Sequence, residues 1–212
     1  MKIILLGASG IIGSEIDRAL SPNHEIVRAG RNGDVKVDYT DTQSFKAMFD
    51  QVGKFDAFVV AVGRDSVFKP YESLTDEDFD YGFQRKFMAQ INLVRIGTPY
   101  ANDGASFTLS SGYLSDYPNP ASAATGPFNA AVDSFARTLG PILPRGIRLN
   151  VVSPAPIVSP EEVGPRGGFC RDPACHDQQD SDHRRRPYRH QRVLHGGVRR
   201  CSGGQYHPQC PV

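Results

Sequence analysis

Three glycines set the first chemical possibility in this chain. In MKIILLGASGIIG, Gly7, Gly10 and Gly13 recur every three residues, directly after the apolar run Ile3 to Leu6 and at the start of a helical pattern. A strand, a tight turn and a helix start in that order aim backbone N–H groups and the positive end of a helix dipole at one point, where a pyrophosphate can sit. In such a turn Gly7 bends the chain, Gly10 lets the backbone approach the phosphate, and Gly13 lets helix and strand pack closely. An ordinary strand-to-helix turn fits the same residues. The second candidate is Arg31, with Arg28 nearby, in the loop after HEIVRA. The end of a second strand faces the adenosine ribose in dinucleotide folds, and an arginine there suits a 2′-phosphate where an acid would suit a free hydroxyl. A solvated loop arginine fits as well. The third is Ser110-Ser111-Gly112, at the C-terminal end of a short strand, the edge where open α/β sheets hold ligands.

The elements that would carry these residues alternate. Ile11, Ile12, Ile16 and Leu20 have helical spacing, and Ser21-Pro22-Asn23 stops that helix. Strands are expected at 24–29, 35–37, 57–62, 106–109 and 148–152 in addition to the first. The run 57–62 is continuously apolar, as in a central parallel strand covered on both faces. Thr40 with Gln43 and Thr75 with Asp78 have capping-box spacing. They open one helix through Phe45, Met48, Phe49 and Val52, and a longer one through Phe79, Phe83, Phe87, Ile91 and Val94. A last helix runs through Phe128, Val132, Phe135 and Leu139. The order predicts an α/β fold, a Rossmann-like doubly wound parallel sheet in a three-layer α/β/α sandwich.

The 212 residues suffice for one such domain, and the net charge of +1 gives no bulk attraction to nucleic acid or membrane. No apolar run has the length of a membrane span, so a cytoplasmic protein without a signal peptide is expected. Composition breaks near residue 160. Residues 160–212 hold all four cysteines, five of the six histidines, nine arginines and no lysine. Between Gly164 and Val212 the only aliphatic residues larger than alanine are Val193, Leu194, Val198 and Val212, too little apolar surface to offset the entropy of ordering the segment. Cys170-x4-Cys175-His176 with Cys201-x8-Cys210 matches no common zinc spacing, and no metal is expected. Disulfides are possible by count alone. The composition of this tail is that of GC-rich DNA translated out of frame. The expected organisation is a dinucleotide-binding domain over 1–160 and an atypical, poorly structured tail over 161–212.

Over residues 1 to about 160 the chain resembles the short-chain dehydrogenase/reductase family. The landmarks, in order, are GASGIIG, Arg31, VDYTD at 37–41, VAVG at 60–63, SSG at 110–112 and NVVSPAPIVS at 150–159, with Ala155 in place of a family glycine. The resemblance implies NADP (NADPH) as cofactor and a small carbonyl or alcohol as substrate. Gly7, Ser9, Gly10, Ile11, Ile12 and Gly13 would line the pyrophosphate. Arg31 would meet the 2′-phosphate, Asp38 and Tyr39 the adenine, Ala61, Val62 and Gly63 the adenine ribose, and Ile157 the nicotinamide carboxamide. Ser111 matches the catalytic serine, which polarises the substrate carbonyl; a strand-end hydroxyl satisfying a loop amide fits it too. A homodimer or homotetramer is implied, through the helices around Phe83 and Phe135.

The acid/base pair departs from the family. Anchored on AAVDSF, the Tyr-x-x-x-Lys positions hold Thr125 and Asn129. A threonine hydroxyl is far too weak an acid, and asparagine has no charge to depress a neighbour's pKa. The family's active-site asparagine is replaced by Lys86, on one helical face with Phe79, Phe83 and Leu93. Lys86 could enter the substrate pocket as proton donor or electrostatic stabiliser, or could snorkel along the helix surface. Ser111, Lys86 and Asn129 are therefore the candidate catalytic positions, with Tyr113 and Tyr117 on the following loop as further candidates. A non-catalytic NADP(H)-binding redox sensor or pseudoenzyme is the alternative to an oxidoreductase.

Overall fold

Apolar runs too short to cross a domain alone become strands here because helices return the chain to one edge of a shared sheet. The computed structural model describes residues 1–62, 66–155 and 157. Among them are five strands, β1 (Lys2–Leu6), β2 (Glu25–Ala29), β3 (Phe55–Val60), β4 (Ala101–Ser110) and β5 (Arg148–Val152), all parallel and ordered β2-β1-β3-β4-β5. Helices α1 (Ile11–Leu20), α2 (Thr42–Val52) and α5 (Gly126–Leu139) make three crossovers. The fourth is α3 (Asp76–Gly82), a π-helical stretch (Phe83–Met88) and α4 (Ala89–Gly97) in succession. The chain moves one way from β1 to β2 and the other way afterwards, so right-handed connections put α1 on one face and α2, α4 and α5 on the other. The expected doubly wound α/β sandwich is the fold observed. No helix among the described residues is long and apolar enough to cross a membrane.

The sheet register explains where the core lies. Ile4, Phe58, Phe107 and Leu149 form one row across β1, β3, β4 and β5, facing Phe45, Met48 and Phe49 of α2 and Leu93 and Val94 of α4. The ring of Phe49 lies 5.7 Å from those of Phe55 and Phe58. Each fully buried ring removes enough apolar surface from water to be worth roughly 2–3 kcal/mol, so this side fixes the strand register. The adjacent row on the other face, Leu5, Val59, Thr108 and Asn150, turns polar toward β5.

Three local expectations give way. No strand forms at 35–37; Val35 makes one isolated bridge to Ala29, and the segment wraps back on Arg28 and Gly30. Val35 and Val37 are still buried at the core edge, and their pairing with the end of β2 stops at one bridge. The sheet thus has five strands where six were expected. The cap of α2 is Asp41, whose carboxylate accepts from the N–H groups of Gln43 and Ser44; the Thr40 hydroxyl is occupied by Asp38. At Thr75 and Asp78 the capping box forms. The long helix after it is not uniform. At the π-helical stretch the Ala89 N–H reaches back five residues to the Gln84 carbonyl, which changes the phase of the helix. Phe79 and Phe83 are each 37 % exposed, and Leu93 is buried, so they do not share one inward face with Lys86.

Candidate functional site

At the end of β1 the backbone itself builds a cradle. Gly7 has φ +89°, its N–H donates to the Ala29 carbonyl, and a Cβ there would stand 2.7 Å from the Ala61 carbonyl oxygen. Gly10 caps α1 without any side-chain hydrogen bond, and the first turn of α1 contains no acid. Its leading N–H groups are therefore open to an anion. Gly13 is buried, and a Cβ on it would meet the Gly7 oxygen at 2.0 Å. Its role is the close packing that lets the turn exist.

A cleft of about 520 Å³ opens over this cradle at the C-terminal ends of the strands. One end is lined by Gly7, Ser9, Gly10, Ile11 and Ile12, with Arg31 and Tyr39 toward the β2 side. Ala61 and Val62 line its middle; Ile157, Lys86 and Ser111 line the other end. Gly13, Asp38 and Asn129 are not on its wall. The Asp38 carboxylate accepts from the N–H and hydroxyl of Thr40 (2.9 and 2.7 Å), bonds that hold its pKa below the usual carboxylate range, with a smaller contribution from the charges of Arg85 and Arg31. Gly63 and the tail cysteines lie outside the described residues, as do Val158, Ser159 and everything expected of 161–212.

Two arginines border the β2 end of the cleft, with different duties. Arg28 is committed: its Nε donates to Asp17 at 2.8 Å, and Asp34 lies 3.5 Å from Nη1. Arg31 is exposed and makes no hydrogen bond or ion pair among the described residues. The donor set fits a phosphorylated dinucleotide. A glycine cradle and an uncapped helix start suit the pyrophosphate, and an uncommitted guanidinium suits a further phosphate.

At the far end, β4 delivers Ser111. Its N–H bonds the Val152 carbonyl (2.9 Å), fixing the loop to β5, and its hydroxyl is buried without a hydrogen-bond partner among the described residues. A buried hydroxyl left unpaired costs about 1–3 kcal/mol, so this one is suited to a group that enters the cleft. Lys86 comes from the π-helical stretch and donates from Nζ to the Ser111 main-chain carbonyl at 2.8 Å. Burial pushes the Lys86 ammonium down to about 8, against the opposing pull of Asp133 on α5. Sequence reasoning missed the residue that holds these two elements together. Gln90 is buried; its amide nitrogen donates to the carbonyls of Lys86 (2.8 Å) and Ser110 (2.9 Å), and its oxygen accepts from the Ser110 N–H (2.9 Å). The only advance signal was a polar residue one turn beyond Lys86 in an otherwise apolar stripe.

Thr125 and Asn129 stand behind this wall. The Thr125 hydroxyl is buried and donates to the Val67 carbonyl at 2.8 Å, which makes it a loop anchor. Asn129 is buried with its Oδ1 unpaired among the described residues; its amide lies so close to Gly112 that a Cβ there would be 2.8 Å from Nδ2. Neither Tyr113 nor Tyr117 lines the cleft, and Tyr117 is 68 % exposed.

Comparison with known proteins agrees with this fold. The family model described as enoyl-(acyl carrier protein) reductase matches residues 10–180. The crystal structure of the protein lin1944 from Listeria innocua is 39% identical, with a TM-score of 0.72, covering 86% of this chain and 92% of that one. A small-chain dehydrogenase in complex with NADPH is 26% identical (TM-score 0.69; 86% of this chain, 81% of that one). BdcA in complex with NADPH is 25% identical (TM-score 0.67; 81% and 76%). None of the curated proteins matches this chain in sequence.

Proposed function

The chain belongs to the short-chain dehydrogenase/reductase family, and from that premise we propose that it is an NADP-dependent oxidoreductase interconverting a small carbonyl compound and its alcohol. The observation that carries the reading is the single cleft running from the phosphate cradle at Gly7 and Gly10 to the unpaired hydroxyl of Ser111. When bound, NADPH supplies hydride at its nicotinamide ring. The chain's own residues do the rest. The cradle and the start of α1 hold the pyrophosphate, Arg31 selects the 2′-phosphate, and Ile157 borders the nicotinamide end. The Ser111 hydroxyl donates to the substrate oxygen and so draws electron density from the carbonyl carbon. The NADPH complexes of two similar proteins support the choice of cofactor.

A second reading, a non-catalytic NADP(H) binder, is favoured by one observation: the Thr125 hydroxyl is spent on Val67 and has no access to the cleft. Titration with NADPH followed by turnover on a panel of small aldehydes and ketones separates the two. NADPH consumption above background supports the oxidoreductase; tight NADPH binding with no turnover across the panel supports the binder; and no binding of NADPH or NADH overturns both.

A further inference from the structure

The geometry points to Lys86 as the proton donor to the substrate oxygen, with Gln90 as the residue that positions it. The inference rests on the oxidoreductase reading above and supplies the acid that reading lacks. Lys86 is the one residue on the reaction-end wall of the cleft, among Lys86, Ser110, Ser111, Pro154, Ala155 and Ile157, that carries an exchangeable proton on a charged group. An ammonium has three N–H donors, and the contact to the Ser111 carbonyl uses one. That contact holds the ammonium on the main chain of Ser111, the residue whose hydroxyl is to bind the substrate oxygen.

By the family resemblance, two positions differ in residue type. Where the family pattern places an asparagine this chain has Lys86, and where it places the lysine this chain has Asn129. Lys86 thus puts its positive charge on the helix across from α5, and Asn129 is buried off the cleft wall. The π-helical stretch makes the new position usable by widening the helix at Lys86, and Gln90 then bonds both the Lys86 carbonyl and the two main-chain groups of Ser110. Gln90 thereby locks the donor to the strand that carries Ser111.

The step balances. As the substrate carbonyl carbon is reduced by the hydride from NADPH, which is oxidised, the C=O π pair moves to oxygen. An O–H bond then forms as one N–H bond of Lys86 breaks, leaving a neutral amine that regains its proton from solvent. The charged group facing Lys86 from α5 is Asp133; on its own stretch Arg85 lies over the Tyr81 ring at 4.7 Å; the end of β4 presents hydroxyls and main-chain groups without charge. A depressed lysine pKa keeps the acid strength close to the working pH.

The test combines a readout on the cofactor-free protein with kinetics. Competitive acetylation across pH, followed on the Lys86 peptide by mass spectrometry, is expected to show a half-point near 8, with exposed Lys46, whose ammonium Asp50 holds above the ordinary lysine value, titrating well above it. With benzaldehyde and cyclohexanone as probe substrates, kcat/KM for reduction is expected to fall as pH rises through about 8. Lys86→Met should lose on the order of a hundredfold to ten-thousandfold in kcat with NADPH affinity within twofold of the parent. Lys86→Arg keeps the charge but cannot release a proton, and should lose both the activity and the limb near 8. Gln90→Leu should lower kcat more than KM and move that limb; Gln90→Glu, which keeps one acceptor for Ser110, should recover part of it. Turnover by Lys86→Met within threefold of the parent overturns the inference and leaves the oxidoreductase reading standing. A labelling half-point at or above 10 overturns it whatever the kinetics. A parent protein that binds NADPH and reduces nothing overturns the oxidoreductase reading, and this inference with it.

Discussion

The two ends of the cleft were built under different rules. At the Gly7 end the cradle is backbone, and the residue type is constrained to glycine by space: a Cβ at Gly13 would lie 2.0 Å from the Gly7 oxygen, and one at Gly7 2.7 Å from the Ala61 oxygen. At the Ser111 end the cleft presents side chains brought from several elements. A threonine is tied to Val67, an asparagine is buried behind Gly112, and a lysine enters from another helix to touch Ser111. Backbone recognition has no spare solutions, whereas a proton can be delivered from any element that reaches the oxygen.

That contrast can be broken at several points. The largest effect is expected from Gly13→Ala, where the added methyl must displace the cradle's own backbone; stability should fall by about 3 kcal/mol and NADPH binding should be lost, as read by urea unfolding and fluorescence titration. At the reaction end Lys86→Met should act in the opposite direction. The folded pKa of Lys86 is about 8 against 10.5 for the free side chain, so burial of the ammonium costs stability below pH 8, and that cost disappears as pH rises through 10.5. The variant should therefore be up to about 3 kcal/mol more stable than the parent at pH 7, with the two converging above pH 10. Chemical denaturation at pH 6.5, 8, 9.5 and 11 measures the convergence. Arg31→Ala should weaken NADPH binding about tenfold or more through loss of a charge-assisted contact and leave NADH nearly unchanged, a comparison made by two titrations. The smallest change is expected from Thr125→Val, about 1 kcal/mol of stability for the unpaired Val67 carbonyl and no shift in the pH profile of reduction. A pH profile that moved in Thr125→Val would erase the proposed division of labour.

The same contrast governs what could be read from the residues alone. The cradle was legible because its requirement is local: three glycines, one apolar run and a helical pattern in thirteen residues. The parallel α/β order was legible for a similar reason, since strand and helix periods differ. What escaped depends on long-range placement. Val35 and Val37 have the alternation of a strand and bond Arg28 and Gly30, but the pairing stops at one bridge. Thr40 has the spacing of a cap and loses the place to Asp41, because an ionised carboxylate accepts from two N–H groups and Asp38 already holds the Thr40 hydroxyl. Lys86 was recognisable by position, whereas Gln90 was not, because its partners are main-chain groups of a strand twenty residues away.

The π-helical stretch at Phe83–Met88 carries one more consequence. A single wide turn is equivalent to one extra residue spliced into an α-helix, and each residue of an α-helix advances the wheel by about 100°. The stretch is therefore a phase shifter. Phe79 before it and Leu93 after it obey two different helical wheels, and removal of one residue between them would rotate the donor away from β4 while leaving every core side chain of α4 its own type. An insertion that a helix normally resists has become the means by which this chain aims a charge.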